Sequence, residues 1–242
     1  MPNLRFAAPV ERRVALITGG ANGIGRSSAL RLAEAGRDIV IADQADGAAL
    51  VPEIAALGRR AVFRALDVTD EAAVHAVVAE AVQTFGRLDI LVCCAGVLGP
   101  ERPFLEQTPA DFDRVLHINV YGAFYAHQAA IPHMLRQGWG RCVTITSGAR
   151  FGSPNQVPYS TSKGAVYSLV SSLGRAYPKQ GVLINGVEPN RTLTQMVVPR
   201  FTAEFLADPP GVPIGRYADP EEIAEVVEFL CSERNTYTSG VV

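Results

Sequence analysis

Six short runs of β-branched and apolar residues alternate with helix-length segments along the chain, and this alternation limits the fold more than any other feature. Strands joined by helix-length crossovers pair in parallel, with helices on both faces of the sheet. The sequence therefore predicts an α/β fold with a doubly wound parallel sheet, which binds ligands at the carboxyl ends of its strands. The predicted strands are Val14–Thr18, Asp38–Ala42, Ala61–Ala65, Leu88–Cys93, Arg141–Thr146 and Val182–Val187.

Helical periodicity fills the segments between these strands. The two longest predicted helices are Asp111–Arg136 and Gln156–Tyr177. The second carries small and apolar residues around much of its circumference, so it must be covered on more than one side. Either a subunit interface or burial within one chain would cover it, and we expect a homo-oligomer, a dimer or tetramer. Two shorter helices each place apolar residues on one face: Val74, Val77, Val78, Ala81, Val82 and Phe85 in one, and Ile223, Val226, Val227 and Leu230 in the other.

The composition indicates one globular domain over residues 1–242, with a short tail at 1–12. A hydrophobic fraction of 48% supplies a substantial core, and a net charge of −2 gives no electrostatic reason to expect nucleic acid or a membrane surface as a partner. The N-terminus lacks the apolar centre of a signal peptide, so we expect a cytoplasmic protein. We expect no metal site, because neither the four histidines nor the four cysteines have ligand spacing: Cys93, Cys94, Cys142 and Cys231.

A glycine-rich motif, T18-G-G-A-N-G-I-G25, lies between the first strand and the helix that follows it. Glycines there permit a tight turn and a close approach of the backbone to a pyrophosphate at the helix N-terminus, which is typical of a Rossmann-like dinucleotide site. Asp43 ends the second strand, where a carboxylate accepts hydrogen bonds from the adenosine ribose and repels a 2′-phosphate. The sequence thus favours NAD over NADP. Asp67, after the third strand, could meet the adenine amino group.

Tyr159 and Lys163 lie four residues apart in a predicted helix, so their side chains share a face. A nearby ammonium favours the phenolate and lowers a pKa that starts near ~10. Lowering that pKa to about 7 takes roughly 4 kcal/mol and makes the phenol an acid or base near neutral pH. Two unrelated surface side chains would show the same spacing, but the glycine motif favours a catalytic pair.

From about residue 14 to residue 240 the chain resembles a short-chain dehydrogenase/reductase of the compact, single-domain type. The resemblance rests on motifs in the family's order: TGxxxGxG at 18–25, the adenine-site dipeptide Asp67-Val68, the helical asparagine Asn119, the catalytic Ser147, Tyr159 and Lys163, and the PGxxxT-like loop P189-N-R-T-L-T194.

The resemblance implies a role for each catalytic position. Tyr159 would remove the substrate hydroxyl proton while hydride passes to the nicotinamide, and Lys163 would lower the Tyr159 pKa and bind the nicotinamide ribose. Ser147 would orient the substrate oxygen, and Asn119 would hold the water of a proton relay. The implied cofactor-binding residues are Gly19, Asn22, Gly23, Ile24, Gly25, Asp43, Asp67, Val68, Cys94, Ala95, Gly96, Tyr159, Lys163, Pro189, Thr192 and Thr194.

The chain departs from the family pattern near this site. Cys93 and Cys94 replace two asparagines, so we expect weaker cofactor binding, retained through the backbone of residues 94–96. Asn190 replaces a glycine, and asparagine tolerates left-handed backbone better than most residues. The interval from Ser147 to Tyr159 is one residue shorter than the family's, which a deletion within residues 150–158 would explain.

Loops near the nicotinamide should select the substrate: residues 97–102, 148–158 and a proline-rich segment, 190–212, that could close as a lid. Arg150 or Arg191 could clamp a substrate carboxylate or phosphate, or each could be a solvated arginine. Hydrophobic residues in these loops predict a mainly apolar pocket: Val97, Leu98, Phe151, Met196 and Phe201.

We predict an NAD-dependent oxidoreductase that interconverts a secondary alcohol and a ketone. One alternative is an NADPH-linked carbonyl or ketoacyl reductase, against which Asp43 argues. The other is a non-catalytic NAD-binding regulatory protein of the same fold, which would not need Asn119, Ser147, Tyr159 and Lys163 together.

Overall fold

A computed structural model describes residues 12–242 except 201, 203, 205 and 207–210. It contains a six-stranded sheet in the order β3-β2-β1-β4-β5-β6, in which all neighbouring strands are parallel. The predicted doubly wound sheet is confirmed, with strand ends shifted by at most two residues. The strands are β1 Val14–Thr18, β2 Asp38–Asp43, β3 Ala61–Ala65, β4 Ile90–Cys93, β5 Gly140–Ile145 and β6 Val182–Val187.

Helices cover both faces of the sheet, because alternate strand residues point to opposite sides. The described α-helices are α1 Gly23–Glu34, α2 Leu50–Ala56, α3 Glu71–Phe85, α4 Pro109–Leu116, α5 Gly122–Gln137, α6 Val157–Ala176 and α7 Pro220–Cys231. Leu16 packs into one buried cluster with α3 and α5, whereas Ile17 packs into another with α1, α2 and α7.

The predicted apolar faces are confirmed in α3 and need correction in α7. In α3 the buried residues include Val74, Val77 and Val78, and the side chain of Asp70 caps the helix by accepting a hydrogen bond from the Ala73 N–H. In α7, Val226 is 46% exposed. The buried stripe runs instead through residues 224, 227, 230 and 231, so it is rotated around the helix away from residue 226.

The long helix predicted at Asp111–Arg136 is divided by a π-helical turn. Residues His117–Tyr121 form this turn between α4 and α5, and Asn119 is buried within it. A π turn contains an extra residue per turn and occurs frequently at functional sites. The regular apolar spacing on both sides hides it from the sequence.

One side of α6 is covered by the chain itself. A Cβ added to Gly174 would lie 2.3 Å from the backbone of Gly240, and the Gly240 N–H donates to the carbonyl of Ile184 in β6. Tyr167 of α6 and Phe124 of α5 are exposed, so the chain does not cover the whole helix pair. The homo-oligomer stays a prediction.

In the part of the chain that the structure describes, no helix is long and apolar enough to cross a membrane. No group of three or more histidine, cysteine, aspartate or glutamate side chains in that part of the chain is placed to hold a metal ion.

Candidate active site

The glycine loop between β1 and α1 is built so closely that only glycine fits at two positions. A Cβ on Gly19, whose φ is +67°, would lie 2.5 Å from the backbone nitrogen of Ala95, and a Cβ on Gly25 would lie 2.0 Å from the Gly19 carbonyl oxygen. Asn22 makes no side-chain hydrogen bond to the first turn of α1, and no acidic residue lies there. The open N–H groups of this turn fit a pyrophosphate.

A single cleft of ≈ 940 Å³ runs along the carboxyl ends of the strands. Among the proposed catalytic residues, Ser147, Tyr159 and Lys163 line it, whereas Asn119 lies behind its wall. The cleft is also lined by all of the proposed cofactor-binding residues: Gly19, Asn22, Gly23, Ile24, Gly25, Asp43, Asp67, Val68, Cys94, Ala95, Gly96, Tyr159, Lys163, Pro189, Thr192 and Thr194.

Two carboxylates at strand ends are fixed by backbone N–H groups. Asp43 is half-buried, and its oxygens accept hydrogen bonds from the N–H groups of Ala21 at 3.0 Å and Ala45 at 2.9 Å. Asp67 accepts from the N–H and the hydroxyl of Thr69, and these bonds lower the pKa of its carboxyl group. Both geometries suit acceptors for the adenosine half of a dinucleotide.

Lys163 and Tyr159 share one face of α6, as predicted. The Lys163 Nζ lies 5.7 Å from the centroid of the Tyr159 ring and donates a hydrogen bond of 2.8 Å to the Ile145 carbonyl. Lys163 is 7% exposed, and burial lowers its pKa to about 8.

The expected lowering of the Tyr159 pKa is wrong in this structure. Burial raises the pKa of Tyr159, and the hydrogen bond with Ser147 opposes that rise. The phenol is more strongly affected by its loss of water than by Lys163, whose own ammonium is disfavoured by the same enclosure.

Ser147 follows β5 and reaches the cleft despite the shortened interval to Tyr159. Its Oγ accepts a hydrogen bond from the Ala149 N–H at 3.2 Å at the start of a 3₁₀ turn, Gly148–Phe151. The hydroxyl also interacts with the Tyr159 phenol, so the two side chains meet at one point of the cleft, where a substrate oxygen can contact both.

Asn119 joins three parts of the cleft wall from behind. It is 3% exposed; its Oδ1 accepts from the Val97 N–H at 2.8 Å, and its Nδ2 donates to the Val97 carbonyl and the Ser162 hydroxyl at 2.9 Å each. Ser162 in turn donates to the Tyr159 carbonyl at 2.7 Å. The π turn is thereby connected both to the loop after β4 and to the first turns of α6.

The cysteine pair keeps the backbone of the cofactor half in place. The Cys94 N–H donates to the Thr18 carbonyl at 2.9 Å, which closes the end of the sheet between β1 and β4. Cys93 is buried with its sulfur 4.0 Å from His127, and burial raises the pKa of its thiol to about 12. Residues 94–96 line the cleft, and the expected weaker cofactor binding stays a prediction.

The substrate end of the cleft is more polar than predicted. Val97, Leu98 and Met196 line it as expected, but Phe151 is 76% exposed and points elsewhere, and the predicted Phe201 lies outside the described residues. Polar and charged residues that sequence reasoning missed also line the cleft: Glu101, Arg114, Gln156, Glu188 and Gln195.

The two proposed arginine clamps have different surroundings. Arg191 lines the cleft, with its Nη1 at 3.4 Å from the Tyr217 hydroxyl, whereas Arg150 forms an ion pair with Glu188. Glu188 was detectable in principle, because it directly follows a predicted strand at the edge where ligands bind.

Comparison with known proteins agrees with this geometry. A family model described as enoyl-(acyl carrier protein) reductase matches residues 19–242. A crystal structure of a short-chain type dehydrogenase/reductase from Mycobacterium marinum superposes with a TM-score of 0.88 at 32% identity, covering 95% of this chain and 92% of that one. This chain belongs to the short-chain dehydrogenase/reductase family.

Two curated members of the family carry named activities. The chain is 35% identical to the 2-dehydro-3-deoxy-L-rhamnonate dehydrogenase (NAD(+)) of Sphingomonas sp. (strain SKA58), over 97% of this chain and 94% of that protein. It is also 35% identical to the L-rhamnose 1-dehydrogenase (NAD(P)(+)) of the same organism, over 96% and 93%. This short-chain dehydrogenase/reductase is accordingly an NAD(P)-dependent oxidoreductase that acts on CH–OH groups.

Proposed function

We propose that this dehydrogenase interconverts a secondary alcohol and a ketone with NAD, and that Tyr159 is its acid and base. The observation that carries the proposal is that Ser147, Tyr159 and Lys163 line the same cleft as the glycine loop and Asp43. The bound nicotinamide supplies the hydride chemistry, so the protein has to supply position and a proton path.

Each side chain then has one task. Tyr159 exchanges a proton with the substrate oxygen, and the Ser147 hydroxyl donates to that oxygen and stabilises developing charge. Lys163 uses one of its three donors on the Ile145 carbonyl, which leaves two for the ribose side of the cleft. Its pKa of about 8 allows it to take up and release protons near neutral pH.

Asn119 acts through its neighbours. Its hydrogen bonds fix the backbone at Val97 and, through Ser162, the backbone at Tyr159. Its hydrogen bonds to Val97 and Ser162 thus make Asn119 a positioning residue. We propose that it also holds the water that passes protons between Lys163 and solvent, as the family resemblance implies.

NAD is the proposed cofactor because the Asp43 carboxylate is held at the end of β2 by two backbone N–H groups. A fixed negative charge there accepts ribose hydroxyls and repels a 2′-phosphate. The names of the two relatives give NAD in one case and NAD or NADP in the other, so they do not choose between the cofactors. The charge of Asp43 is what supports NAD here.

The test pairs binding with turnover. Purified protein is titrated with NADH and NADPH by nicotinamide fluorescence. Alcohol oxidation is then measured for the wild type, for Tyr159→Phe and for Tyr237→Phe, a control whose side chain is 95% exposed. We expect each of the three proteins to bind NADH more tightly than NADPH. Only Tyr159→Phe should lose turnover, by about 10²-fold or more.

Three outcomes would contradict parts of the proposal. Preference for NADPH would overturn the role of Asp43, and turnover by Tyr159→Phe would overturn that of the phenol. Tight NADH binding without oxidation of any sugar, polyol or cyclic alcohol would favour the non-catalytic alternative.

We also infer a homo-oligomer, a tetramer, because aromatic side chains on α5 and α6 are exposed in the single chain. Light scattering that gives the mass of one chain would refute the homo-oligomer, and the mass of two chains would refute the tetramer.

A cytoplasmic location is supported by four free cysteines, three of them buried, which suit a reducing compartment.

A further inference from the structure

Glu188 places a carboxylate in the cleft, against the backbone next to Ser147. It directly follows β6, at the edge of the sheet where the catalytic residues lie, and lines the cleft together with Ser147 and Tyr159. Its Oε1 lies 3.6 Å from where a Cβ on Gly148 would be, so the carboxylate packs against the backbone next to Ser147.

Arg150 holds this carboxylate in place from outside the cleft. Its Nε donates a hydrogen bond to Oε2 of Glu188, and its guanidinium lies over two aromatic rings, 4.0 Å from the Phe151 centroid and 4.1 Å from the Tyr167 centroid. Charge-assisted bonding and cation–π contact together restrict an arginine that would otherwise be mobile. Arg150, one of the two arginines that could have bound a substrate anion, therefore pairs with Glu188 of the protein itself.

The second oxygen of Glu188 is available to a ligand. Of the residues that the structure describes, only Arg150 donates a hydrogen bond to this carboxylate, and it does so to Oε2. The Glu188 side chain is 25% exposed, so water or substrate can reach it. The cleft thus presents a fixed, charged acceptor next to Ser147.

Building on the function proposed above, we infer that Glu188 selects the substrate by accepting a hydrogen bond from a hydroxyl on the carbon next to the reacting carbinol. The substrate class is then a vicinal diol, as in polyols and sugars. A site built to bond a hydroxyl rejects an analogue that lacks it, because the acceptor is left unpaired. A carboxylate on the same neighbouring carbon, as in a 3-hydroxy acid, would be repelled by the like charge.

Arg150 is a positioning residue in this scheme. It does not line the cleft, and it acts by fixing the orientation and the charge of Glu188. Arg150→Lys keeps a positive charge but loses the planar stacking on Phe151 and Tyr167. We expect this variant to raise KM for a diol with little change in kcat.

The experiment compares three substrates that share one ring: cis-1,2-cyclohexanediol, cyclohexanol and 2-hydroxycyclohexanecarboxylate, each oxidised with NAD. The proteins are the wild type, Glu188→Ala, Glu188→Gln and Glu225→Gln. Glu225 is a matched control, because it pairs with Arg31 at 2.7 Å on the outer surface between α1 and α7. Melting temperatures establish that each variant is folded.

We expect the wild type to favour the diol over cyclohexanol by about tenfold or more in kcat/KM. Glu188→Ala should lose that preference through a fall for the diol alone, and should gain activity on the hydroxy acid. Glu188→Gln keeps one acceptor oxygen and should retain part of the preference for the diol. Glu225→Gln should match the wild type.

The inference is overturned, while the proposed function stands, if the wild type has equal kcat/KM for the diol and cyclohexanol. The same holds if Glu188→Ala lowers kcat/KM equally for both substrates. NADH binding without oxidation of any alcohol overturns both the inference and the proposed function. If Glu188→Ala does not fold, the wild-type and Glu188→Gln preferences decide the question.

Discussion

Replacing Lys163 with methionine should stabilise the cofactor-free enzyme while removing its turnover. The lysine is buried, and among the described residues it forms no ion pair with a carboxylate; its Nζ donates to the Ile145 carbonyl. Burial therefore disfavours the charged form and lowers its pKa from 10.5 to about 8. Methionine has similar length and no charge to desolvate.

The magnitude follows from that shift. At pH 7 the lysine is charged in both the folded and the unfolded chain, so the lowered pKa costs the folded state about 3 kcal/mol, at about 1.4 kcal/mol per pKa unit. The substitution removes that cost but also removes the hydrogen bond to the Ile145 carbonyl, which destabilises the folded state by about 1 kcal/mol. A net gain of about 2 kcal/mol corresponds to a melting temperature roughly 4–8 °C higher in a domain of this size.

The pH dependence supplies a second check with a definite sign. Between pH 8 and 10.5 the folded wild type loses the lysine proton while the unfolded chain still binds it, so wild-type stability rises with pH. The gap between Lys163→Met and the wild type should therefore narrow from pH 7 to pH 10.

Thermal melts without cofactor at pH 7, 8.5 and 10 measure this gap. Lys179, which is exposed and is the one other lysine in the sequence, provides the control Lys179→Met. Lys163→Met melting below the wild type at pH 7, or a gap that does not change with pH, would refute the reasoning.

Three further outcomes are expected. Asp43→Ser removes the charge at the end of β2 and should raise NADPH affinity relative to NADH by about tenfold, or about 1.4 kcal/mol; an unchanged ratio in fluorescence titrations would contradict this. Asp89→Ala should lower the melting temperature by ~6–20 °C, because removing one partner of a buried ion pair costs about 3–5 kcal/mol. Buried Asp89 accepts a hydrogen bond from the Val14 N–H and pairs with Arg13 and Arg87, and a decrease in melting temperature of under about 2 °C would contradict this prediction. Burial raises the pKa of Cys93 to about 12, so a thiol reagent at pH 8 should modify it only on unfolding, and rapid labelling of the native protein at this residue would show the assignment to be wrong.

The strands and the cleft could be predicted because their signals are local. A short apolar run such as V-A-L-I-T predicts a buried strand from its own residues. Parallel pairing then brings the carboxyl ends of strands that are distant in sequence to one edge of the sheet. The glycine motif is local because its tight turn lies within residues 18–25, where a Cβ on Gly25 would meet the carbonyl of Gly19.

The features that escaped prediction depend on packing between distant segments. The pair of Arg150 and Glu188 joins residues 38 positions apart, so neither neighbourhood predicts that one arginine is occupied. The direction of the Tyr159 pKa shift depends on how much water the folded cleft removes, which spacing along α6 does not report. The exposure of Val226 depends on which side of α7 meets the sheet.

The π turn at His117–Tyr121 has a consequence for how this enzyme can change over generations. Because the turn fits one residue more into the rotation of a regular helical turn, deleting one residue there would give a regular turn and leave α4 and α5 little displaced. The deleted residue would come from the segment that carries Asn119, whose bonds to Val97 and Ser162 fix the cleft wall. A change in the length of this segment therefore acts on the site while the two helices keep their places in the fold.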